Sequence, residues 1–265
     1  MNDDTPPVPR IDPWTMLREL TPARVALGRT GASLPTHEIL RFGHAHSLAR
    51  DAVHATLDVQ ALRRDLAVLD CDLTEVRSAA EGRTAYLRRP DLGRRLSDES
   101  RISLDAKRAS GSDLVIVVAD GLSATAVHAN AAALLDLLVP AIRRKGWSLG
   151  PIVVATQARV ALGDEVGAAL DARMVLVLIG ERPGLSSPDS LGAYLTFGPK
   201  PGRRDNERNC VSNIRGGGLV PPRAARAILW LIEEAFRRGE TGVALKDESV
   251  DIAIEGASPH LPSLP

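Results

Sequence analysis

Apolar positions recur every three or four residues in the front part of the chain and give way to short, continuous apolar runs behind it. Ile39, Leu40, Ala45, Leu48, Ala49, Ala52 and Val53 form one stripe near the 3.6-residue period, which predicts a helix over residues 36–57 with Thr36 as its cap. Asp58 can cap a following helix whose Leu62, Leu66 and Leu69 share one side, and Ser97 can open a third. The Arg-rich segment 83–95 is expected as a link, so residues 13 to about 104 read as helical throughout.

The pattern changes at Asp113. Residues 114–119 (LVIVVA) are short, continuous and rich in β-branched side chains, as expected of a strand buried on both faces. A helix follows over 123–145, then a strand at 151–155, a helix around 163–170, strands at 174–179 and 193–197, and a segment without helical period at 209–214. Pro221 and Pro222 then introduce an amphipathic helix ending near Arg237. This alternation of strand and helix predicts an α/β protein: a helical N-terminal region followed by a Rossmann-like domain with a parallel sheet covered by helices. The expected division is a disordered tail over 1–12, the helical region over 13–112, the sheet domain over 113–250 and a C-terminal tail over 251–265.

Composition narrows the function. Of 265 residues 44% are hydrophobic, enough for a core, and 33 basic side chains balance 33 acidic ones, so no net field recruits nucleic acid or an anionic membrane. No apolar run is expected to span a bilayer and no signal peptide opens the chain, which predicts a soluble intracellular protein. Cys71 and Cys210 match neither a zinc spacing nor a Cys-x-x-Cys motif and are expected as free thiols. His37, His44, His46 and His54 lack a carboxylate at ligand spacing, so no metal site is expected of them.

The turns after the strands carry the candidate chemistry. Asp120-Gly121-Leu122-Ser123 lacks the glycine pattern of a dinucleotide cradle, and no Walker lysine motif or Gly-x-Ser-x-Gly elbow occurs elsewhere. Two readings stand for it: a structural strand-to-helix turn with Ser123 as cap, or a ligand-facing edge with Asp120 and Ser123 exposed to the crevice. Arg83, Arg88, Arg89, Arg94 and Arg95 suit either a solvated link or guanidinium recognition of an anionic group, with a protein partner favoured over nucleic acid. Glu181, in Gly180-Glu181-Arg182-Pro183, ends a buried strand at the ligand edge of such a sheet; by itself it could equally bond the following turn or an arginine. Cys210 alone reads as a small packed residue.

Five ordered blocks, residues 23–31 (ARVALGRTG), 86–96 (YLRRPDLGRRL), 119–123 (ADGLS), 180–185 (GERPGL) and 208–214 (RNCVSNI), together with 187–194 (SPDSLGAY), resemble the small subunit of ethanolamine ammonia-lyase, an adenosylcobalamin-dependent lyase. The resemblance covers most of the chain and implies the same helical-then-Rossmann-like fold. It implies radical rearrangement of ethanolamine to acetaldehyde and ammonia in a hetero-oligomer, with a TIM-barrel large subunit holding the substrate. By motif alignment it carries cobalamin contacts onto Val160 (in Ala158-Arg159-Val160), Glu181 and Cys210, and assigns no catalytic residue and no protein metal ligand to this chain. None of the six histidines sits in an Asp-x-His-x-x-Gly motif, so the cofactor's own base is expected to stay on cobalt. Cytoplasm is the expected location, with a bacterial microcompartment as the alternative. The rival readings are a stand-alone Rossmann-like small-molecule-binding enzyme and a structural adaptor sharing only the fold.

Overall fold

The computed structural model describes residues 18, 20–21, 23–107 and 111–249; the expected tails at 1–12 and 251–265 lie outside them. In chain order the elements are α1 (Thr36–His54), α2 (Val59–Leu66), β1 (Leu73–Arg77), α3 (Arg83–Arg88), α4 (Asp98–Asp105), β2 (Ser112–Ala119), α5 (Ala124–Arg144), β3 (Leu149–Thr156), α6 (Leu162–Ala169), β4 (Ala172–Gly180), β5 (Leu191–Phe197), β6 (Asn209–Ile214) and α7 (Pro221–Arg238). The strands form one sheet in the order β1-β3-β2-β4-β5-β6.

Strand parity builds two cores. Leu114, Ile116 and Val118 of β2 face α5 and α7, with Leu134, Leu138, Ile228 and Ile232 packed on them. Val115, Val117 and Ala119 face the other way, onto Leu162 and Val166 of α6 and Leu104 of α4. A strand buried on both faces has no polar position to spare, which is why its sequence is a continuous apolar run. Each such Leu, Ile or Val contributes about 1.5–3 kcal/mol through burial.

The sheet is mostly parallel, as expected, with two antiparallel strands added at one edge. β1, β3, β2 and β4 are parallel, whereas β5 runs antiparallel to β4 and β6 antiparallel to β5. Residues 181–190 join β4 to β5 with no helix between them, and a parallel return needs a crossover of about a dozen residues or more, usually helical.

The helical N-terminal region holds one exception. Leu73–Arg77 is a strand at the sheet edge, pairing with β3; its alternating burial, with Val76 inward, is a period-2 signal too short to stand out between helices. The segment 83–95 is no bare link either, since it contains α3 and a single 3-10 turn, anchored by the fully buried Tyr86.

Helix α1 begins one residue earlier than a Thr36 cap requires: Pro35 occupies the cap position without a side-chain bond. Of the expected stripe only Ala45, Ala49 and Ala52 are buried, together with Glu38, while Ile39, Leu40 and Leu48 are exposed. At 3.6 residues per turn Ile39 and Leu40 lie roughly 120° and 140° around the helix from Ala45, too far to share its face. The caps Asp58 and Ser97 form as expected, accepting from Ala61 N at 2.8 Å and Ser100 N at 3.2 Å.

One expectation about apolar runs is also corrected. Helix α5 is long and apolar enough, by length and composition, to cross a membrane, yet half of that window is buried within the protein. Its apolarity is explained by position: it lies across the sheet and under α7, so Ala126, Leu134, Leu135, Leu138 and Ile142 are all fully buried.

Candidate functional site

The parallel strands β2, β3 and β4 deliver their carboxyl ends to one edge. β2 leads through α5 to β3 on one side, and the chain then crosses to β4 on the other side, so the loops after β2 and β4 diverge and leave a crevice between them. The loop after β2 and the end of β4 nevertheless touch at the base. Gly121 has φ +55°, and a Cβ there would sit 2.2 Å from the Gly180 carbonyl oxygen; a Cβ on Gly180 would sit 2.0 Å from that of Ser123. Two glycines back to back let Leu122 N donate to Gly180 O at 2.9 Å.

The crevice above them holds about 430 Å³ and is lined by Leu122, Arg159, Val160, Glu181, Arg182 and Tyr194 among others. Val160, from the turn into α6, and Glu181, just past β4, are thus brought into one site. A larger depression of about 580 Å³ lies at the opposite, amino edge, beside Cys71 and Arg143. Size does not decide between them: Arg143 there already donates to Asp70 O at 2.8 Å, and ligands of open α/β sheets sit at the carboxyl ends of strands.

Glu181 is held on one oxygen and left open on the other. Ser190 Oγ donates to Oε2, and Asn213 N donates to the same oxygen at 3.2 Å. Oε1 has no hydrogen bond among the described residues, and Gly192 makes room for it, since a Cβ there would lie 2.9 Å away. Its carboxylate thus ties the ends of β4, β5 and β6 together while presenting an acceptor that is open among the described residues.

Tyr86 forms the floor. Its ring is buried, its hydroxyl donates to Ala158 O at 3.0 Å, and the guanidinium carbons of Arg83 and Arg159 stand 4.9 and 4.5 Å from the ring centre. Burial, only partly offset by Arg159, pushes the phenol up to about 12. Arg83 also fixes the surrounding backbone, donating to Val53 O at 2.7 Å and Gly121 O at 2.8 Å.

Cys210 does not line the crevice. It sits on β6 directly across from Tyr194 of β5, which does. The neighbouring Val211 faces the α5–α7 core, so Cys210 points to the other face of the sheet, where it is exposed. Desolvation beside Tyr194 nonetheless raises the thiol above its ordinary range, with the Glu181 charge adding to the effect, while the tyrosine hydroxyl opposes it. The Tyr194 phenol is raised as well, by burial first and Cys210 second. The residue as a whole is open to solvent while its sulfur is partly shielded by the tyrosine.

The ligand-facing reading of Asp120 and Ser123 is corrected. Asp120 is buried, and its carboxylate accepts from Gln157 N at 2.9 Å and Ala158 N at 3.0 Å, with Arg83 Nη1 at 3.5 Å. Burial raises its pKa even against those bonds. Ser123 caps α5 through Ala126 N and donates to Pro188 O at 2.8 Å. Both residues shape the loops and neither faces the crevice. Among the described residues no three His, Cys, Asp or Glu side chains gather where they could hold a metal. Tyr86, Arg159, Arg182 and Tyr194 are lining residues that motif reasoning did not single out. Their signal was proximity to the motifs, since Arg159 and Arg182 flank Val160 and Glu181 in sequence.

The sequence profile of the ethanolamine ammonia-lyase light chain (EutC) family matches residues 11–246. The chain is 57% identical over 246 residues to the ethanolamine ammonia-lyase small subunit of Rhodopseudomonas palustris, covering 93% of this chain and 94% of that protein. It is 56% identical over 258 residues to the small subunit of Bradyrhizobium diazoefficiens, covering 97% and 98%, and 51% identical over 253 residues to that of Pseudomonas fluorescens SBW25, covering 94% and 91%. With the family matched over nearly its whole length, this chain belongs to the ethanolamine ammonia-lyase small-subunit (light-chain) family.

Proposed function

We propose that this chain is the small subunit of an adenosylcobalamin-dependent ethanolamine ammonia-lyase, active with a TIM-barrel large subunit in the cytoplasm, and that it presents Val160, Glu181 and Cys210 to the cobalamin where the subunits meet. The observation that carries this reading is that Val160 and Glu181, 21 residues apart in sequence, share one crevice in which Glu181 Oε1 has no hydrogen-bond partner among the described residues. The residues present suit a corrin, a broad apolar ring edged with amide arms. Val160, Leu122 and Ile179 offer apolar surface, and Glu181 Oε1 an acceptor for an amide N–H.

Adenosylcobalamin, when bound, supplies the homolytic cobalt–carbon chemistry that makes ethanolamine rearrangement to acetaldehyde and ammonia possible. This chain's residues orient and enclose. Ser190 and Asn213 hold Oε2 so that Oε1 keeps one direction, and Tyr86 fixes the height of Arg159. No side chain here is assigned to the substrate, which belongs with the large subunit.

The test is corrinoid titration of the assembled two-subunit complex. Glu181→Ala should weaken cobalamin binding by about ten- to a hundredfold, and Glu181→Gln by less, because the amide keeps an acceptor and the shape. Ser190→Ala controls for the fold: it removes only the Oε2 contact and should lower stability by about 1 kcal/mol. Unchanged affinity in Glu181→Ala, with a melting temperature lowered as in Ser190→Ala, would make Glu181 purely structural.

A further inference from the structure

Two guanidinium groups on the crevice wall lack an anion. Arg159 and Arg182 both line it, and neither has a carboxylate partner among the described residues. Other arginines nearby are committed: Arg83 to Asp120 and two carbonyls, Arg208 to Asp164, Arg203 to Glu207.

Arg159 is not a free surface side chain. Its backbone N donates to Gly93 O at 2.8 Å, its guanidinium stacks on Tyr86, its Nη2 reaches Tyr86 O only at 3.4 Å, and its Nε is buried with no hydrogen bond. A guanidinium held in place with a shielded, unused donor is preorganised for an acceptor that is not part of this chain. Arg182, at the mouth, is exposed and makes no hydrogen bond or ion pair among the described residues. Opposing them on the lining is one carboxylate, Glu181, whose Oε2 is already taken by Ser190 and Asn213. Two cations against one anion leave the wall net positive in a chain whose overall charge is zero.

Fork-shaped donors on a partly dry, positive wall select an oxyanion. We infer that Arg159 and Arg182 form a phosphodiester subsite of the crevice. The inference rests on the cobalamin reading above, because the phosphodiester of the nucleotide loop is the anionic group of that cofactor. It adds a polar anchor at a part of the ligand separate from the ring amides that Glu181 serves.

The experiment titrates the assembled complex with hydroxocobalamin and with cobinamide, a corrinoid that lacks the nucleotide loop and its phosphate. Arg182→Gln, at an exposed position, should raise the cobalamin Kd about tenfold and leave the cobinamide Kd unchanged; Arg159→Lys, which keeps the charge and loses the fork, should show the same selective loss. Inorganic phosphate, the other source of this chemistry, should compete with cobalamin in the wild type, and much less in Arg182→Gln or against cobinamide. Equal weakening of both corrinoids, or no change in either, overturns the subsite while leaving the cobalamin reading intact. A wild-type complex that binds neither corrinoid overturns the cobalamin reading and the subsite with it.

Discussion

The ion pair between Asp164 and Arg208 should be the strongest single polar determinant of the site's frame. Arg208 Nη1 donates to Asp164 Oδ1 at 2.6 Å and Nη2 to Oδ2 at 2.8 Å, with both side chains 2% exposed. Asp164 lies in the first turn of α6, four residues past Val160, and Arg208 two residues before Cys210, so the pair ties one wall of the crevice to the strand at its far side. Burial opposes both charges, yet both pKa values move up: burial raises the Asp164 carboxyl against the pull of Arg208, whereas burial lowers Arg208 and Asp164 together with Asp205 raises it on balance. The bidentate contact favours the ionised pair, since a protonated acid would set a hydrogen against one of the two Nη donors.

Removing one partner of such a pair leaves a buried charge and typically costs about 3–5 kcal/mol. Thr196 Oγ1 and Arg203 O still accept from Arg208 in an Asp164→Ala variant, which places the expected loss near the lower end, about 3 kcal/mol. In a chain of this size that is a fall of roughly 6–12 °C in melting temperature. The double change Asp164→Leu with Arg208→Met removes both charges and should recover most of the loss, giving a coupling energy of about 2 kcal/mol or more in a double-mutant cycle. Urea unfolding of the four proteins, followed by circular dichroism, measures it. Single-variant losses below about 1 kcal/mol, or a double variant equal to their sum, would refute the reasoning.

Three shorter predictions follow from the same geometry. Gly180→Ala should destabilise by more than about 3 kcal/mol because its Cβ would collide with the Ser123 carbonyl at 2.0 Å, whereas Gly146→Ala, in open space at φ +76°, should cost only about 1–2 kcal/mol; equal losses by denaturant unfolding would contradict the close-approach argument. Asp113 accepts from Ser148 N and Arg173 Nη1 at 2.9 and 2.7 Å, and although burial works to raise its pKa, these bonds hold it below 3.8. A depressed carboxyl contributes stability above its unfolded pKa and loses it as pH falls through the folded value, so the gap between wild type and Asp113→Asn should shrink below about pH 4; a gap constant down to about pH 2.5 would remove the linkage. Tyr86→Phe should lower stability by about 1 kcal/mol through loss of the bond to Ala158 O, and corrinoid titration should show weaker binding if the Ala158–Arg159–Val160 turn shifts with it.

Sequence alone determined whatever rests on local periodicity and local chemistry. The continuous runs 114–119 and 174–179 can only be strands buried on both faces, Asp58, Ser97 and Ser123 carry the hydroxyl or carboxylate a helix start needs, and Pro221 sets the first turn of α7. The ordered motif blocks identified the family, and Glu181 stood inside one of them, whereas Val160 lay outside all five. Tertiary structure decided what depends on partners distant in sequence. The direction of β5 and β6 followed from a ten-residue connection with no room for a crossover, and β1 became a strand because β3 offered an edge to pair with. Asp120 turned inward because the backbone after β3 presents two N–H groups that only the folded sheet places beside it. One oxygen of Glu181 was drawn into the fold by Ser190 and Asn213 while, among the described residues, the other stayed open and Arg159 and Arg182 on the same wall were left without a carboxylate partner. A side chain's type is written in the sequence, but whether its polar atoms are spent or spare depends on neighbours brought together by folding.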